Sequence, residues 1–251
     1  GYGRLLFDPA INWMYETGSE PGLGGRTSFW PRGKVIGGSG SINAMVHVRG
    51  QPGDFDDWAA MGNPGWGYRD VLPYFRQSED HDAGPSDYHG RGGPMHVTDI
   101  SANAHPLCAL YIQTCQALGF HHTTDFNGAN GEGVGIYQIN TRHGLRASTA
   151  NEFLRPALRR ANLTLRARAH ATRLLFKERR ATGVEYLHGG QRNEAAASKE
   201  VILCGGAINS PQLLQLSGIG DAELLGPLGI ETVVDSKAVG RNLQDHLAVT
   251  Y

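Results

Sequence analysis

The segment from Gly33 to Asp56, with the sequence GKVIGGSGSINAMVHVRGQPGDFD, combines glycines with hydrogen-bonding side chains. These residues are Gly37, Gly38, Ser39, Gly40, Ser41 and Asn43. The glycines allow the backbone to approach a ligand without an intervening Cβ atom, and the polar side chains add hydrogen-bonding groups beside them. The pattern suits a phosphate group or a planar heterocycle. A glycine-rich surface turn is the alternative interpretation.

A second segment has the order strand, glycine turn and helix. Residues 200–204 (EVILC) end in a short apolar run, which is typical of a strand buried on both faces in a parallel sheet. Gly205 and Gly206 follow, and then Ser210 and Pro211 predict a helix with serine as its N-cap and proline as its first residue. This order is the one that α/β proteins use to present backbone N–H groups to an anion.

Several familiar catalytic and metal-binding patterns are absent from the sequence. Neither GxGxxG nor GxxxxGK[ST] occurs in the first segment, because Asn43 stands where a third glycine would be needed, and GxSxG is interrupted as well. Asp125 and Asn127 resemble the start of a calcium loop, but apolar residues occupy two of its ligand positions. The pair His121-His122 has no metal-ligand spacing. We therefore predict no metal site.

The composition is that of a globular protein with an excess of glycine. The 251 residues include 35 glycines, about twice the usual share, without the three-residue period of collagen. The 23 Lys and Arg residues nearly balance the 24 Asp and Glu residues, which gives nucleic-acid binding no electrostatic support. No apolar run reaches the roughly 18 residues of a membrane span. We predict neither a nucleic-acid partner nor a transmembrane segment.

The cysteines and the chain ends add two expectations. Cys108, Cys115 and Cys204 lack CxxC spacing, which predicts reduced, buried thiols in a cytoplasmic protein, with peripheral attachment to a membrane as the alternative. The chain opens at Gly1 rather than at methionine and closes in an extended pattern at Tyr251. We expect it to be an internal segment of a longer protein.

Loops, helices and a small meander are predicted around the two segments. Residues 1–75 show little periodicity, and residues 80–93 are polar and glycine-rich, as in an exposed loop. The predicted elements are a strand at 93–98, a helix at 105–118, a helix at 148–161 and strands at 163–167, 172–177 and 183–187. The last three strands predict an antiparallel meander.

The two segments resemble the signature sequences of the glucose–methanol–choline oxidoreductase family. Gly33–Asp56 is similar to its flavin-contacting signature, and residues 206–220 (GAINSPQLLQLSGIG) are similar to the second signature throughout. Their order and separation, and residues 239–246, also fit its choline dehydrogenase and alcohol dehydrogenase branch, so the resemblance covers nearly all of the chain. One position departs from the family: His47 stands where an aromatic residue or alanine is usual.

The resemblance implies a mixed α/β fold with an FAD-binding Rossmann-like domain, a β-meander and a substrate-binding domain, incomplete at both ends. It assigns residues 1–78 and 144–251 to the FAD-binding domain, and residues 79–143 to a loop-rich segment on the substrate side. The residues implied to contact FAD are Gly38, Ser39, Asn43, Ala44 and Val46, along the pyrophosphate and isoalloxazine, and Ala171, whose backbone would bind adenine. Ile42 stands where some members carry a histidine that binds FAD covalently, which implies noncovalent FAD.

The implied activity is the oxidation of an alcohol to an aldehyde or ketone by hydride transfer to the flavin. A small-molecule alcohol would be the substrate, and oxygen or an electron carrier the acceptor. The resemblance places no catalytic residue in this chain, because the histidine base is expected beyond Tyr251 and the GxGxxG unit before Gly1. The fragment alone is therefore expected to be inactive. Two alternatives stay open: a truncated, non-catalytic binding or scaffold protein with this fold, and a family member with light-driven or lyase chemistry on the flavin.

Overall fold

The structure is a computed structural model that describes residues 2–245 and residue 248. Contacts divide the chain into two compact units, with the boundary between Thr164 and Leu165. Each unit is described by itself. The contact boundary does not test the functional segments at 1–78, 79–143 and 144–251, which stay a prediction.

The first unit combines short helices with two-residue and three-residue strands. In chain order these are α1 (Tyr2–Leu5), β1 (Tyr15–Glu16), β2 (Phe29–Trp30), α2 (Pro52–Ala60), α3 (Tyr68–Ser78), β3 (Glu79–His81), β4 (Met95–Val97), α4 (Pro106–Ala117), β5 (Thr141–Arg142), β6 (Leu145–Arg146) and α5 (Arg155–Ala157). Short 3₁₀ turns lie at Pro21–Leu23, Gly38–Ser41 and Ser101–Asn103, and a π-helical turn at Ala150–Leu154 leads into α5. The expected helix at 148–161 is thus shorter than predicted.

Helices α2 and α3 occupy a region that the sequence predicted to be irregular. Pro52 begins α2 where its missing N–H costs nothing, and the Asp54 carboxylate accepts the N–H of Gln51 at 2.7 Å. Phe55 is buried and packs against Trp58, Tyr68 and Phe75, which joins the two helices. The aromatic residues of this region therefore form a small core, because their spacing places them on facing sides of two helices.

Helix α4 lies close to the predicted range and ends before Gly119, whose φ of +91° stops the helix. Its apolar side chains are exposed rather than packed: Leu107, Leu110 and Tyr111 are all more than half exposed. The prediction of buried thiols is wrong for the same reason. Cys108 on α4 and Cys204 are exposed and Cys115 is partly exposed, because no described element covers these faces.

The segment at 80–93 is only partly the exposed loop that its polar sequence predicts: residues 82–83, 85–87 and 91–92 are exposed and lie outside any strand. β3 pairs with β4 in parallel, as Glu79 with Met95, Asp80 with His96 and His81 with Val97. The residues between the two strands fold back over β3, so that His81, Gly84, His89 and Gly90 are buried. The polar residue His89 is buried because its ring nitrogens form hydrogen bonds with Glu79 and Asp125, which are described below for the candidate site. The predicted strand at 93–98 is confirmed as β4.

The second unit is built on an antiparallel meander, as predicted, with shifted strands. β7 (Ala169–Lys177), β8 (Arg180–His188) and β9 (Gln191–Ala196) pair in the order β7-β8-β9. Residues 163–167 do not form a strand, and the third strand instead follows the turn at Gly189 and Gly190, whose φ values are +60° and +79°. After α6 (Gly206–Leu216) come β10 (Ile219–Gly220), α7 (Ala222–Leu225), a 3₁₀ turn at Gly226–Leu228 and β11 (Val234–Asp235), which pairs in parallel with β10.

The strand and helix start predicted around the second segment are not observed. Residues 201–204 are extended without a ladder, and Ile202 is 74% exposed, because no strand in residues 2–245 lies beside them. α6 begins at Gly206, so Ser210 and Pro211 lie inside the helix rather than at its start. The Ser210 hydroxyl accepts the N–H of Gly205 at 3.0 Å, one residue before the helix. Gly206 itself, with φ +82°, makes the turn into α6.

Candidate functional site

The signature segment continues from its glycine turn into an extended stretch with alternating exposure. Ala44, Val46 and Val48 are exposed, and the intervening Met45, His47 and Arg49 are turned inward. This is the period of two that an extended backbone imposes on its side chains. Three apolar side chains thus face outward, while the polar His47 and the charged Arg49 face inward together with Met45. We call the three exposed residues the apolar row.

One edge of the extended stretch is bound by residues 138–140. The His47 N–H donates to Gln138 O at 2.9 Å, the Asn140 N–H donates to Met45 O at 2.8 Å, and Val46 forms an antiparallel bridge with Ile139. On its other side Ile139 exchanges backbone hydrogen bonds with Thr98, just after β4. The row is therefore fixed to the small sheet of the first unit.

Further along, the same edge is bound by a side chain. Asn127 is 4% exposed, and its amide nitrogen donates to His47 O at 2.9 Å while its amide oxygen accepts the Arg49 N–H at 2.7 Å. These are the two bonds that a neighbouring strand would supply. Asn127 is in turn fixed by its own N–H, which donates to Asp125 Oδ1 at 3.0 Å. The residues that resemble a calcium loop in sequence thus serve to hold the extended stretch.

Beneath the inward-facing side lies a buried cluster centred on Glu79, which is 1% exposed. Its Oε1 accepts from Arg49 Nη2 at 2.7 Å and from His47 Nε2 at 3.1 Å, and its Oε2 accepts from His89 Nδ1 and from the Gly90 N–H, both at 2.9 Å. His89 Nε2 reaches Asp125 Oδ2 at 2.8 Å. We call Glu79, Arg49, His47, His89 and Asp125 the Glu79 cluster.

Hydrogen bonds and charges outweigh burial throughout the Glu79 cluster. Burial alone raises the pKa of the Glu79 carboxyl, but hydrogen bonds from His47, His89 and the Gly90 N–H, with the charge of Arg49, hold it well below its usual range. Burial lowers the pKa of His89, but its hydrogen bonds to Asp125 and Glu79 and their negative charges raise that pKa to about 9. His89 is therefore a cation that joins two carboxylates at neutral pH.

The glycine turn before the extended stretch leaves open space at only some of its glycines. A Cβ atom at Gly37 would collide with Ser41 Oγ, and one at Gly33 would collide with the backbone of Gly38, so both glycines are needed for packing within the chain. A Cβ atom at Gly38 or Gly40 would meet no atom within 4 Å. The space beside these two glycines is therefore suited to a ligand, as the sequence predicts for Gly38.

Asn43 joins the glycine turn to the extended stretch. Its Oδ1 accepts the Met45 N–H at 3.0 Å and Arg146 Nη1 at 2.7 Å, which fixes the orientation of the amide. Met45 has φ +65°, a left-handed conformation that costs a non-glycine residue about 1 kcal/mol or more. The Asn43 bond to Met45 N–H and the Asn140 bond to Met45 O hold this conformation.

The structure brings together five of the six residues that the sequence predicts to contact a cofactor. Gly38, Ser39, Asn43, Ala44 and Val46 are consecutive or nearly so, and four of them are exposed. The sixth, Ala171, lies in the second unit on β7, an edge strand of the meander, next to a register shift between Ala171 and Arg173. Bulges of this kind are common beside binding sites. The role of all six residues stays a prediction.

Comparison with known proteins identifies the family. The GMC oxidoreductase model matches residues 12–248. The chain belongs to the GMC oxidoreductase family. This confirms the resemblance of both signature segments and, with the observed mixture of helices and strands, the mixed α/β fold.

Curated relatives and solved structures agree with this membership. The chain is 48% identical over 244 residues to the mitochondrial choline dehydrogenase of Homo sapiens, and 47% identical over 238 residues to an oxygen-dependent choline dehydrogenase of Burkholderia pseudomallei. These matches cover 97% and 94% of this chain but 41% and 42% of the relatives, so the chain spans about four-tenths of their length.

Two solved structures are similar over nearly the whole chain. The crystal structure of pyridoxine 4-oxidase from Mesorbium loti matches with a TM-score of 0.90 at 34% identity, over 98% of this chain and 48% of that one. An FAD-dependent oxidoreductase from Chaetomium thermophilum matches with a TM-score of 0.87 at 31% identity, over 95% and 44% of the two chains.

Sequence reasoning missed the residues that hold the signature segment in place. Glu79, His89, Asp125, Asn127 and Asn140 are distant from the signature in sequence, and the only recognisable spacing among them, Asp125 and Asn127, resembles a calcium loop. The available signal was the alternation at 44–49, whose inward positions hold a histidine and an arginine. Buried positions of that kind require polar partners.

Two further findings concern metals and membranes. Within residues 2–245, no group of three or more His, Cys, Asp or Glu side chains has the arrangement of a metal site. Across the same residues, none of the helices has both the length and the apolar character that crossing a membrane requires.

Proposed function

We propose that the glycine turn and the apolar row form part of the FAD site of an FAD-dependent oxidoreductase that oxidises an alcohol to an aldehyde or ketone. The observation that carries this proposal is the exposed apolar row, with Val46 44% and Val48 46% exposed, held along one edge by hydrogen bonds to residues 138–140 and to Asn127. A fixed apolar surface next to open space at Gly38 and Gly40 suits one face of a large planar ring. Bound FAD would supply the acceptor for the hydride.

The residues of the chain would bind and orient the cofactor. Ala44 and Val46 would contact the ring, while the backbone of the 3₁₀ turn Gly38–Ser41 would bind the pyrophosphate through N–H groups other than that of Gly38, which donates to Val35 O at 2.8 Å. Asn43 would donate from its amide nitrogen, because Met45 N–H and Arg146 occupy its oxygen. Ala171, on the free edge of β7, would bind adenine through its backbone.

Noncovalent attachment is part of the proposal. Ile42, next to Asn43, is 3% exposed and has no nucleophilic atom. Of the histidines closest to the signature in sequence, His47 uses both ring nitrogens, on Glu79 and Asn140, and His89 uses both on Glu79 and Asp125. His81 Nε2 has no hydrogen-bond partner, but this histidine is only 4% exposed. The general base is proposed to lie beyond Tyr251 in the full-length protein, as the family resemblance implies.

The proposed substrate is a small alcohol, with oxygen or an electron carrier as the acceptor. Choline is the first alcohol to assay, because the relatives named above are choline dehydrogenases. Betaine aldehyde would be the product of that reaction.

The proposal is tested most directly at Gly40. Gly38 has φ +57°, so any side chain there is strained whether or not a cofactor binds, whereas Gly40 has no positive φ and no atom within 4 Å of its Cβ position. Gly40→Val in the full-length protein should fold but retain less than about a tenth of the wild-type flavin, because the valine would occupy cofactor space. Flavin is measured by visible absorbance against protein concentration.

Gly53→Val is the matched control, because Gly53 in α2 also has open space at its Cβ position and no positive φ. It should retain flavin at the wild-type level. Equal flavin in both variants would remove the glycine turn from the site, and a full-length wild-type protein without flavin would contradict the proposed function as a whole.

A further inference from the structure

His47 is the point at which the apolar row meets the buried side of the first unit. It follows Val46 directly, and its side chain is 18% exposed. Its Nε2 lies 3.1 Å from Glu79 Oε1, and its Nδ1 lies 3.2 Å from the amide nitrogen of Asn140. Since an amide nitrogen only donates, Nδ1 accepts and Nε2 carries the hydrogen that is donated to Glu79.

Asn140 is bound to this stretch twice. Its backbone N–H donates to Met45 O at 2.8 Å, and its side-chain amide donates to the ring of His47, two residues further on. Asn140 therefore binds the residues on both sides of Val46, which are Met45 and His47. The conformation that it holds is an unfavourable one, because Met45 between Asn43 and Val46 has φ +65°.

The two partners of His47 differ in whether other groups bind them when the His47 side chain is removed. Glu79 keeps three other donors, from Arg49, His89 and the Gly90 N–H, when His47 is removed. The bond to Asn140 has no such substitute among the contacts of the extended stretch. Loss of His47 therefore affects the backbone at Met45 and Val46 through Asn140 more than through Glu79.

We propose that His47 is a positioning residue which, through Asn140, fixes the backbone of Met45 and Val46 against the flavin ring. The proposal rests on the proposed function for its ligand, and on the contacts of His47 and Asn140 for its mechanism. Side-chain atoms of the row contact the ring, and His47 sets where those atoms lie without touching the ring itself.

Two substitutions of His47 each keep one of its side-chain contacts and remove the other. In His47→Asn the amide oxygen can take the place of Nδ1 and accept from Asn140, but the side chain is too short for Glu79. In His47→Gln the amide nitrogen can take the place of Nε2 and donate to Glu79, but no acceptor remains near Asn140. His47→Phe keeps a ring and removes both contacts.

His96→Phe is the matched control for loss of a histidine between polar partners. His96 Nδ1 lies 3.0 Å from Asp80 Oδ2, its Nε2 lies 3.1 Å from Asp82 Oδ1, and its side chain is 20% exposed. It is on β4 in the same unit, and its ion pairs are with Asp80 and Asp82 rather than with the extended stretch.

The experiment uses the full-length protein and two measurements. Hydrogen exchange, followed by mass spectrometry on the flavin-free protein, reports the protection of the peptide that contains Met45 and Val46. Titration with FAD reports the dissociation constant and the visible spectrum of the bound flavin. His47→Gln and His47→Phe should raise both the exchange rate and the dissociation constant by about tenfold, the effect of one lost hydrogen bond.

His47→Asn and His96→Phe should stay within about twofold of the wild type in both measurements, and the spectrum of bound flavin should shift only in the Gln and Phe variants. Wild-type behaviour of His47→Gln with impairment of His47→Asn would overturn the proposal in favour of a role through Glu79. Equal impairment by His96→Phe would overturn it in favour of general loosening. If the wild type binds no FAD, the proposed function fails, while the exchange rates still test the role of His47.

Discussion

The first signature segment and the residues just before the second are held in opposite ways. The first segment, at residues 37–49, is bound along one edge and from beneath by residues of its own unit, including Asn127, Asn140 and the Glu79 cluster. The second signature, at residues 206–220, is preceded by residues 201–204, which have no strand partner among the described residues and expose Ile202. The comparison shows that the backbone next to a sequence signature can be fixed by contacts within its own unit, or can lack such contacts among the described residues.

The largest expected effect comes from breaking the Glu79 cluster. Glu79→Gln keeps the size of the side chain but leaves Arg49 and His89 as buried cations that share one fewer carboxylate. We expect the free energy of unfolding of the first unit to fall by about 3–5 kcal/mol. Denaturant unfolding followed by fluorescence of the aromatic residues at 55–75 measures this change.

The control for that variant lies just before the second signature. Glu200→Gln changes an exposed carboxylate beside the unpaired residues 201–204, and it should alter stability by less than about 0.5 kcal/mol. Equal effects of the two variants would mean that the Glu79 cluster does not distinguish the two regions.

The next effect is a dependence of stability on pH that belongs to the first unit. The folded pKa of His89 is raised to about 9 from an ordinary value of 6.5, so its stabilisation is fully present below about pH 6.5 and is lost as pH rises through about 9. At about 1.4 kcal/mol for each pH unit, the loss approaches about 3 kcal/mol.

The partners of His89 are Glu79, Asp125 and the ring of His81, whose centroid lies 4.1 Å away. His89→Gln should abolish this dependence between pH 6.5 and 9 in unfolding experiments at a series of pH values. An unchanged slope in that variant would assign the dependence to another group.

The smallest expected effect compares one glycine from each segment. A Cβ atom at Gly33 would collide with the Gly38 backbone, whereas Gly206 has φ +82° but no atom within 4 Å of its Cβ position. Gly33→Ala should therefore destabilise by about 2–3 kcal/mol through overpacking, and Gly206→Ala by about 1–2 kcal/mol through backbone strain alone. Melting temperatures of the two variants give the order, and the reverse order would contradict this account of the two turns.

Sequence reasoning identified the family, the mixed fold and the meander, because these depend on local patterns, whereas the role of the segment that contains Gly38 and Val46 stays a prediction. It placed the strand at residues 201–204 wrongly, since an apolar run becomes a strand only where a neighbouring strand supplies hydrogen bonds. It placed the start of α6 wrongly, because Ser210 and Pro211 match a helix start in isolation but the turn at Gly206 begins the helix earlier.

The polar residues show the same limit. Residues 80–93 have the composition of an exposed loop, and half of them are exposed, but His89 is buried because Glu79 and Asp125 bind its two ring nitrogens. Composition cannot report those contacts. The alternation at residues 44–49 can be seen in the sequence, but the sequence does not show which side of the stretch packs on the Glu79 cluster.

The side chain of Asn127 has a consequence for the solubility of this region. Extended backbone with unpaired N–H and C=O groups is a template on which a strand of another molecule can add. Asn127 occupies the carbonyl of His47 and the N–H of Arg49 with a single amide, and offers no further backbone for a strand to continue along. The stretch that presents apolar side chains outward is thus capped against edge-to-edge association at these two groups.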